Sequence, residues 1–210
     1  MKLEITEYGV AKLRGLTFRE MPGNFRDKVT NQITKSNRNF EGAQTPFNNL
    51  GNRNFRLDLP DDIANQIVDY QMAKYGETNV KHVETISSST GETITHNYLK
   101  VLVRYYGGPK DPKVYYQANG TYALWDESMV KMVDDVRFET ADLDIYLGHY
   151  IDKRTGKEMP KANLDNLRIV AMSGEGSFES EFGINTSAPA PKSMDSDDCL
   201  LYTSPSPRDA

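Results

Sequence analysis

The chain has 210 residues, 38 % of them hydrophobic, and a formal net charge of −5. No apolar run reaches the ~18 residues of a membrane-spanning helix, so membrane insertion by a helix is excluded. The opening residues, Met1-Lys2-Leu3-Glu4-Ile5-Thr6-Glu7, lack the apolar core of a signal peptide, and a cytosolic protein is expected, of a cell or of something replicating inside one.

The charge is unevenly placed. Residues 175–210 hold 2 of the 25 Lys+Arg and 7 of the 30 Asp+Glu, which leaves residues 1–174 neutral. Residues 1–57 hold 10 basic and 5 acidic side chains, so the chain begins basic and ends acidic.

Residues 5–19 alternate apolar and polar through Val10, Leu13, Leu16 and Phe18, with Gly9 and Gly15 interrupting. A long, bent first strand is expected, since glycine inside a strand marks a bulge or bend. Residues 22–50 lack sustained periodicity and read as a long basic loop insertion containing Phe25, Phe40 and Phe47. Val29 and Ile33 could support one helical turn there.

Residues 51–60, Gly51-Asn-Arg-Asn-Phe-Arg-Leu-Asp-Leu-Pro60, then alternate strictly, with Phe55, Leu57 and Leu59 directed to a core. The tetrad Asn-Arg-Asn-Phe within it also occurs at 37–40. Pro60-Asp61-Asp62 opens a helix with an acidic first turn and apolar Ile63, Ile67, Val68 and Met72; it should end at Tyr75-Gly76.

Further strands are expected over 80–86, 98–106, 113–118, 143–150 and 164–172, with a hairpin tip at 87–91 and a short helix over 126–133. Five to seven strands, two short helices and no βαβ repeat suggest a mainly β, OB-fold-like small antiparallel barrel. Residues 1–174 would form this domain, and residues 175–198, rich in Gly, Ser, Ala, Pro and acids, a disordered acidic tail.

Residues 199–209, Cys199-Leu-Leu-Tyr-Thr-Ser-Pro-Ser-Pro-Arg-Asp209, resemble the translation of a transposase-type sequencing adapter. Residues 199–210 are therefore expected to be non-native, the natural chain being interrupted near Asp198. Cys199 is the sole cysteine, so disulfide and thiolate chemistry are excluded from the rest.

Enzyme signatures are missing. His82, His96 and His149 have no partner at metal-ligand spacing, and no phosphate-binding or nucleophile-elbow motif occurs. No cofactor, metal or catalytic residue is expected. Asp142 and Asp144 are the carboxylates a nuclease reading would use, but they fit a solvated strand face as well.

Basic side chains instead interleave with aromatics, the composition that holds a nucleic-acid backbone and stacks on its bases. The candidate nucleic-acid-binding residues are Arg14, Arg38, Phe40, Arg53, Arg56, Lys100, Arg104, Tyr106, Lys113 and Tyr115. Phe55 is needed by the core. Phe40, in the loop, is therefore expected to be the better stacking residue.

The order of segments resembles a family of tailed-bacteriophage single-stranded DNA-binding proteins with an OB fold. The resemblance rests on residues 51–60, Tyr98-Leu-Lys-Val-Leu-Val-Arg-Tyr105, Pro112-Lys-Val-Tyr-Tyr116, Leu124-Trp-Asp-Glu-Ser-Met-Val130 and Asp142-Leu-Asp-Ile145. It continues through Gly156-Lys157 and Lys161-Ala162 to Leu164, covering residues 8–172. It implies non-catalytic, non-specific coating of single-stranded DNA during phage replication or recombination, in the cytoplasm of the infected bacterial host.

The resemblance also makes Arg53, Arg56, Lys100, Arg104 and Lys113 contacts to the DNA backbone. The stretch at 188–198 resembles the acidic end of bacterial single-strand binders, implying recruitment of replication or recombination proteins. Homo-oligomerisation is left open. The alternative is a non-catalytic structural or protein-interaction module of a phage.

Overall fold

The computed structural model describes residues 1–45, 48–86, 91–118 and 120–172. The expected hairpin tip lies largely outside these residues; the acidic tail and the adapter-like segment lie wholly outside them. No described helix is long and apolar enough to cross a membrane.

The described chain is mainly β. Strands β1 (Lys2–Ile5) and β2 (Val10–Leu16) replace the single bent strand expected over 5–19. Gly9, at φ 81°, makes the turn between them, and a Cβ there would lie 2.5 Å from the Tyr70 hydroxyl. Leu13 and Leu16 are both buried although their parity differs, because a bulge at Gly15 shifts the register against a later strand.

Strands β3 (Phe25–Arg26) and β4 (Ile33–Lys35) pair as a separate hairpin, and β5 (Arg38–Asn39) joins the main sheet. Residues 22–50, read from sequence as a long loop, carry these three short strands between turns, and no helical turn spans Val29–Ile33. Asp27 accepts hydrogen bonds from the backbone of Val29 and Thr30 and makes a turn there instead.

Strand β6 (Asn54–Leu59) and helix α1 (Asp61–Tyr75) follow as read from sequence. The helix ends in Gly76 at φ 70°, whose N–H reaches the Met72 carbonyl. Ile63 and Ile67 are buried, but Met72 is exposed and Gln71 is buried in its place. The Gln71 side chain is satisfied by Thr78 Oγ1 and by the backbone N–H and side chain of Asn79.

Strands β7 (Val80–Ile86), β8 (Thr93–Leu102), β9 (Lys113–Ala118), β10 (Thr121–Trp125), β11 (Phe138–Ile151) and β12 (Glu158–Ala171) complete the sheet. The short helix expected at 126–133 is a turn capped by Asp126, followed by a 3₁₀ turn over Val130–Asp134.

Among the described residues, ten strands form one sheet, with the order β1-β2-β11-β12-β8-β6-β5; β7 pairs β8, and β9 and β10 extend from β12. The expectation of a closed antiparallel barrel is corrected. β1 and β5 do not pair with each other, so the sheet stays open. Two pairings, β12 with β8 and β12 with β9, are parallel. β12 follows β8 only through Ala162 and Asn163 before β9 takes over at Asn166. The inward residues of β2, β6, β8, β11 and β12 nevertheless meet in one core with Ile63 and Ile67 of α1.

Candidate nucleic-acid interface

Towards the β5 end of the sheet, β8 is flanked by β6 on one side and β7 on the other, forming the triplet β6-β8-β7. Paired residues of an antiparallel ladder share a face, and alternate residues change face. Leu57, Leu99 and Val80 lie in register and are buried. The neighbouring row carries Asp58, Tyr98 and Lys81, and Arg56 stands opposite Lys100. The outward face of β8 therefore presents His96, Tyr98, Lys100 and Leu102, and its extended continuation adds exposed Arg104 and Tyr106.

Arg56 organises this face. Its guanidinium lies 3.2 Å from the Tyr98 ring centroid and donates to both carboxylate oxygens of Asp58, at 2.6 and 3.0 Å. A groove of about 220 Å³ runs beside it, lined by Ser36, Asn54, Arg56, Lys81, Tyr98 and Lys100 among others. Lys35 borders the same region. Desolvation and the charge of Arg56 hold its ammonium below the ordinary value, against the pull of Asp58. Cations gathered this way, with one paired carboxylate among them, favour a polyanion.

Arg104 Nη1 lies 3.4 Å from the Tyr106 hydroxyl, and the loop after Tyr106 is tied by Asp111, which accepts from three successive backbone N–H groups. Arg53 is close in the chain but differently engaged. It is ion-paired with Glu127 and lies over the Tyr105 ring. Burial pushes the Tyr105 hydroxyl up to about 12, against the neighbouring Arg53 charge.

Arg14 and Tyr115 belong to a second patch with Asp142, Asp144, Asn166 and Arg168. Arg14 donates to Asp144 at 2.6 Å and to the Leu143 carbonyl at 2.8 Å. Arg168 sits 3.8 Å from Asp142. This patch is balanced in charge. Lys113, exposed, stands at its border opposite Asn166.

Two sequence-derived candidates are corrected. Arg38 is 1 % exposed and donates to the carbonyls of Val133, Val136 and Met21 while lying over the Phe18 and Phe138 rings. Burial lowers it to about 10, against the pull of Asp134 and Asp135. Phe40 is also 1 % exposed and stacks on Phe55, with centroids 5.1 Å apart.

The repeated tetrads explain both. β5 pairs with β6, so Arg38 stands opposite Phe55 and Asn39 opposite Asn54. The repeat is a pair of complementary core-edge segments, and neither Arg38 nor Phe40 is available to bind a base.

Sequence reading omitted Lys35, Lys81 and Tyr98 from the site. Tyr98 was detectable, since it lies two residues from Lys100 in an alternating strand. Lys81 arrives through the pairing of β7 with β8, and Lys35 comes from the separate β3–β4 hairpin, so neither is readable from β8 itself.

No curated protein matches the chain. The structure is similar to the crystal structure of gp2.5, a single-stranded DNA-binding protein encoded by bacteriophage T7. That match has a TM-score of 0.30 and 12 % identity, covering 78 % of this chain and 93 % of that one. Residues 26–159 match the family model described as "Putative phage ssDNA-binding domain". That match spans more than half of the chain and takes in the whole β6-β8-β7 triplet: the chain belongs to the family of phage single-stranded DNA-binding domains.

Proposed function

We propose that this protein coats single-stranded DNA without sequence preference, during phage replication or recombination in the host cytoplasm, through the outward face of β6, β8 and β7. The observation that carries the proposal is the outward pair Tyr98 and Lys100 on β8, flanked by Arg56 and Lys81, with Lys35 beside Arg56 and exposed Arg104 and Tyr106 just past the end of the strand. Lysines and arginines neutralise phosphates and release counterions, and the tyrosines offer faces on which bases stack.

The mechanism has no bond-breaking step. Asp142 and Asp144, the carboxylates of a nuclease reading, are engaged by Arg168, Arg14 and Asn166. The acidic residues of 175–198 would compete with DNA for the same cations and offer a contact for replication or recombination proteins.

The test is a fluorescence titration with labelled single-stranded and duplex oligonucleotides at several salt concentrations. Five cations on the face predict a slope of about −3.5 in log K against log salt for single strands. Tyr98→Ala should weaken binding by about 1–3 kcal/mol, the contribution of one stacked base. Equal affinity for duplex and single strand, or a flat salt response, would reject the assignment.

A further inference from the structure

Beyond Val80, every residue of β7 is exposed, and so are Thr93, Ile94 and Thr95 of β8. This part of the β7–β8 hairpin stands away from the core as a two-stranded arm. Its ladder continues in register from Val80 opposite Leu99 to Ile86 opposite Thr93. The row of Lys81 and Tyr98 therefore runs directly onto the arm, through Val83 opposite His96 and Thr85 opposite Ile94.

The two faces of the arm differ in charge. The face continuous with the DNA face has no carboxylate in its paired residues. It carries Val83, Ile94 and His96, with Val83 39 % and Ile94 45 % exposed. The opposite face carries His82, Glu84 and Ile86, and His82 is tied at 2.6 Å to the Asn97 side chain. His96 continues the aromatic file, nearly parallel to Tyr98 at 20° with centroids 6.0 Å apart. Its Nε2 lies 3.0 Å from Thr85 Oγ1, which fixes the ring across the two strands.

We propose that this arm is a second part of the single-strand track, on which bases beyond Tyr98 lie against His96, Val83 and Ile94. The inference rests on the single-stranded DNA reading above. The occupant is DNA because the surface is continuous with the cationic file and keeps its paired carboxylate on the other side. From Tyr98 to Ile94 is four residues, about 14 Å of strand at ~3.4 Å per residue. An unstacked strand advances roughly twice the 3.4 Å of a duplex per nucleotide, so the arm holds about two nucleotides.

The test measures affinity for oligothymidylates across the range of about 4–16 nucleotides that single-strand grooves accommodate. It compares the full chain with a variant carrying Val83→Ser, Ile94→Ser and His96→Ser. The wild type should gain affinity with length up to a plateau. The variant should plateau about two nucleotides earlier and bind the longest oligomers at least about tenfold more weakly. Equal binding of the shortest oligomers shows that the body is intact.

An unchanged plateau overturns the proposal. So does an unchanged plateau with loss of a wild-type dimer in sedimentation, which would give the arm to a second copy of the chain. A Glu84→Lys variant that shortens the plateau equally would also overturn it, because Glu84 faces away from the track. Failure of the wild type to bind any oligomer is a separate result, and rejects the single-stranded DNA reading itself.

Discussion

Arg38 shows how far one residue's chemistry depends on its neighbours. Its three carbonyl partners have no replacement if the guanidinium is removed, and each unmatched buried carbonyl is unfavourable by about 1–3 kcal/mol. Arg38→Ala should therefore lower stability by roughly 3 kcal/mol or more in urea unfolding. DNA affinity of the protein that remains folded should be unchanged.

Asp134 lies beside it. Its carboxylate accepts from the N–H groups of Phe40 at 2.7 Å and Glu41 at 3.0 Å, yet desolvation and Asp135 raise it to about 6. A carboxyl raised on folding holds its proton better in the native state between the ordinary value of 3.8 and about 6. Its contribution to stability therefore falls as pH rises through that window, by up to about 3 kcal/mol, and is flat above it. Asp134→Asn should remove that part of the pH dependence, as read by urea midpoints at pH values spanning the window.

At the level of elements, β8 is the strand that makes the interface. Its residues Leu99 and Val101 are buried, as is Val103 just past its end, so its even residues are held in a row by the core beneath them. Lys100→Ala should leave stability within about 0.5 kcal/mol, since the side chain is exposed, and should reduce the salt slope by about 0.7. The same change at Arg38 or Lys113 should do nothing to the slope if the track follows β8. A salt slope altered by Lys113→Ala alone would move the track to the β9 side. The β7–β8 arm belongs to this scale too, because its shared register with the body places it on the track.

For the whole molecule, the distribution of charge matters more than its total. The face carries Arg56, Lys81 and Lys100, with Lys35 beside Arg56 and exposed Arg104 past the end of β8, while residues 175–210 hold an excess of 5 acids over bases. Removing residues 175–210 should raise affinity for single-stranded DNA at low salt. The gain should shrink as salt increases and the Debye length falls to ~8 Å near 0.15 M.

Local pattern alone placed β6, α1, β7 and β9, because alternation and helix punctuation act over a few residues. Phe55, Leu57 and Leu59 were legible as core, and Arg56, Lys100, Arg104 and Tyr106 as outward, for the same reason. The order of β6 and β9 with the segments at 98–105, 124–130 and 142–145 also carried the family resemblance.

Tertiary structure decided everything that depends on which strands become neighbours. It paired the two Asn-Arg-Asn-Phe tetrads, which buried Arg38 and Phe40. It kept the sheet open where a barrel was expected, by leaving β1 and β5 unpaired with each other at its two ends. It brought Lys81 opposite Tyr98 and Lys35 near Arg56 and Asp58, and drew Arg14 away to Asp144. Side-chain alternation is a property of one strand, readable from its own residues. Pairing is a choice among distant segments, made by how they bury apolar surface together, and no single stretch of the chain contains it.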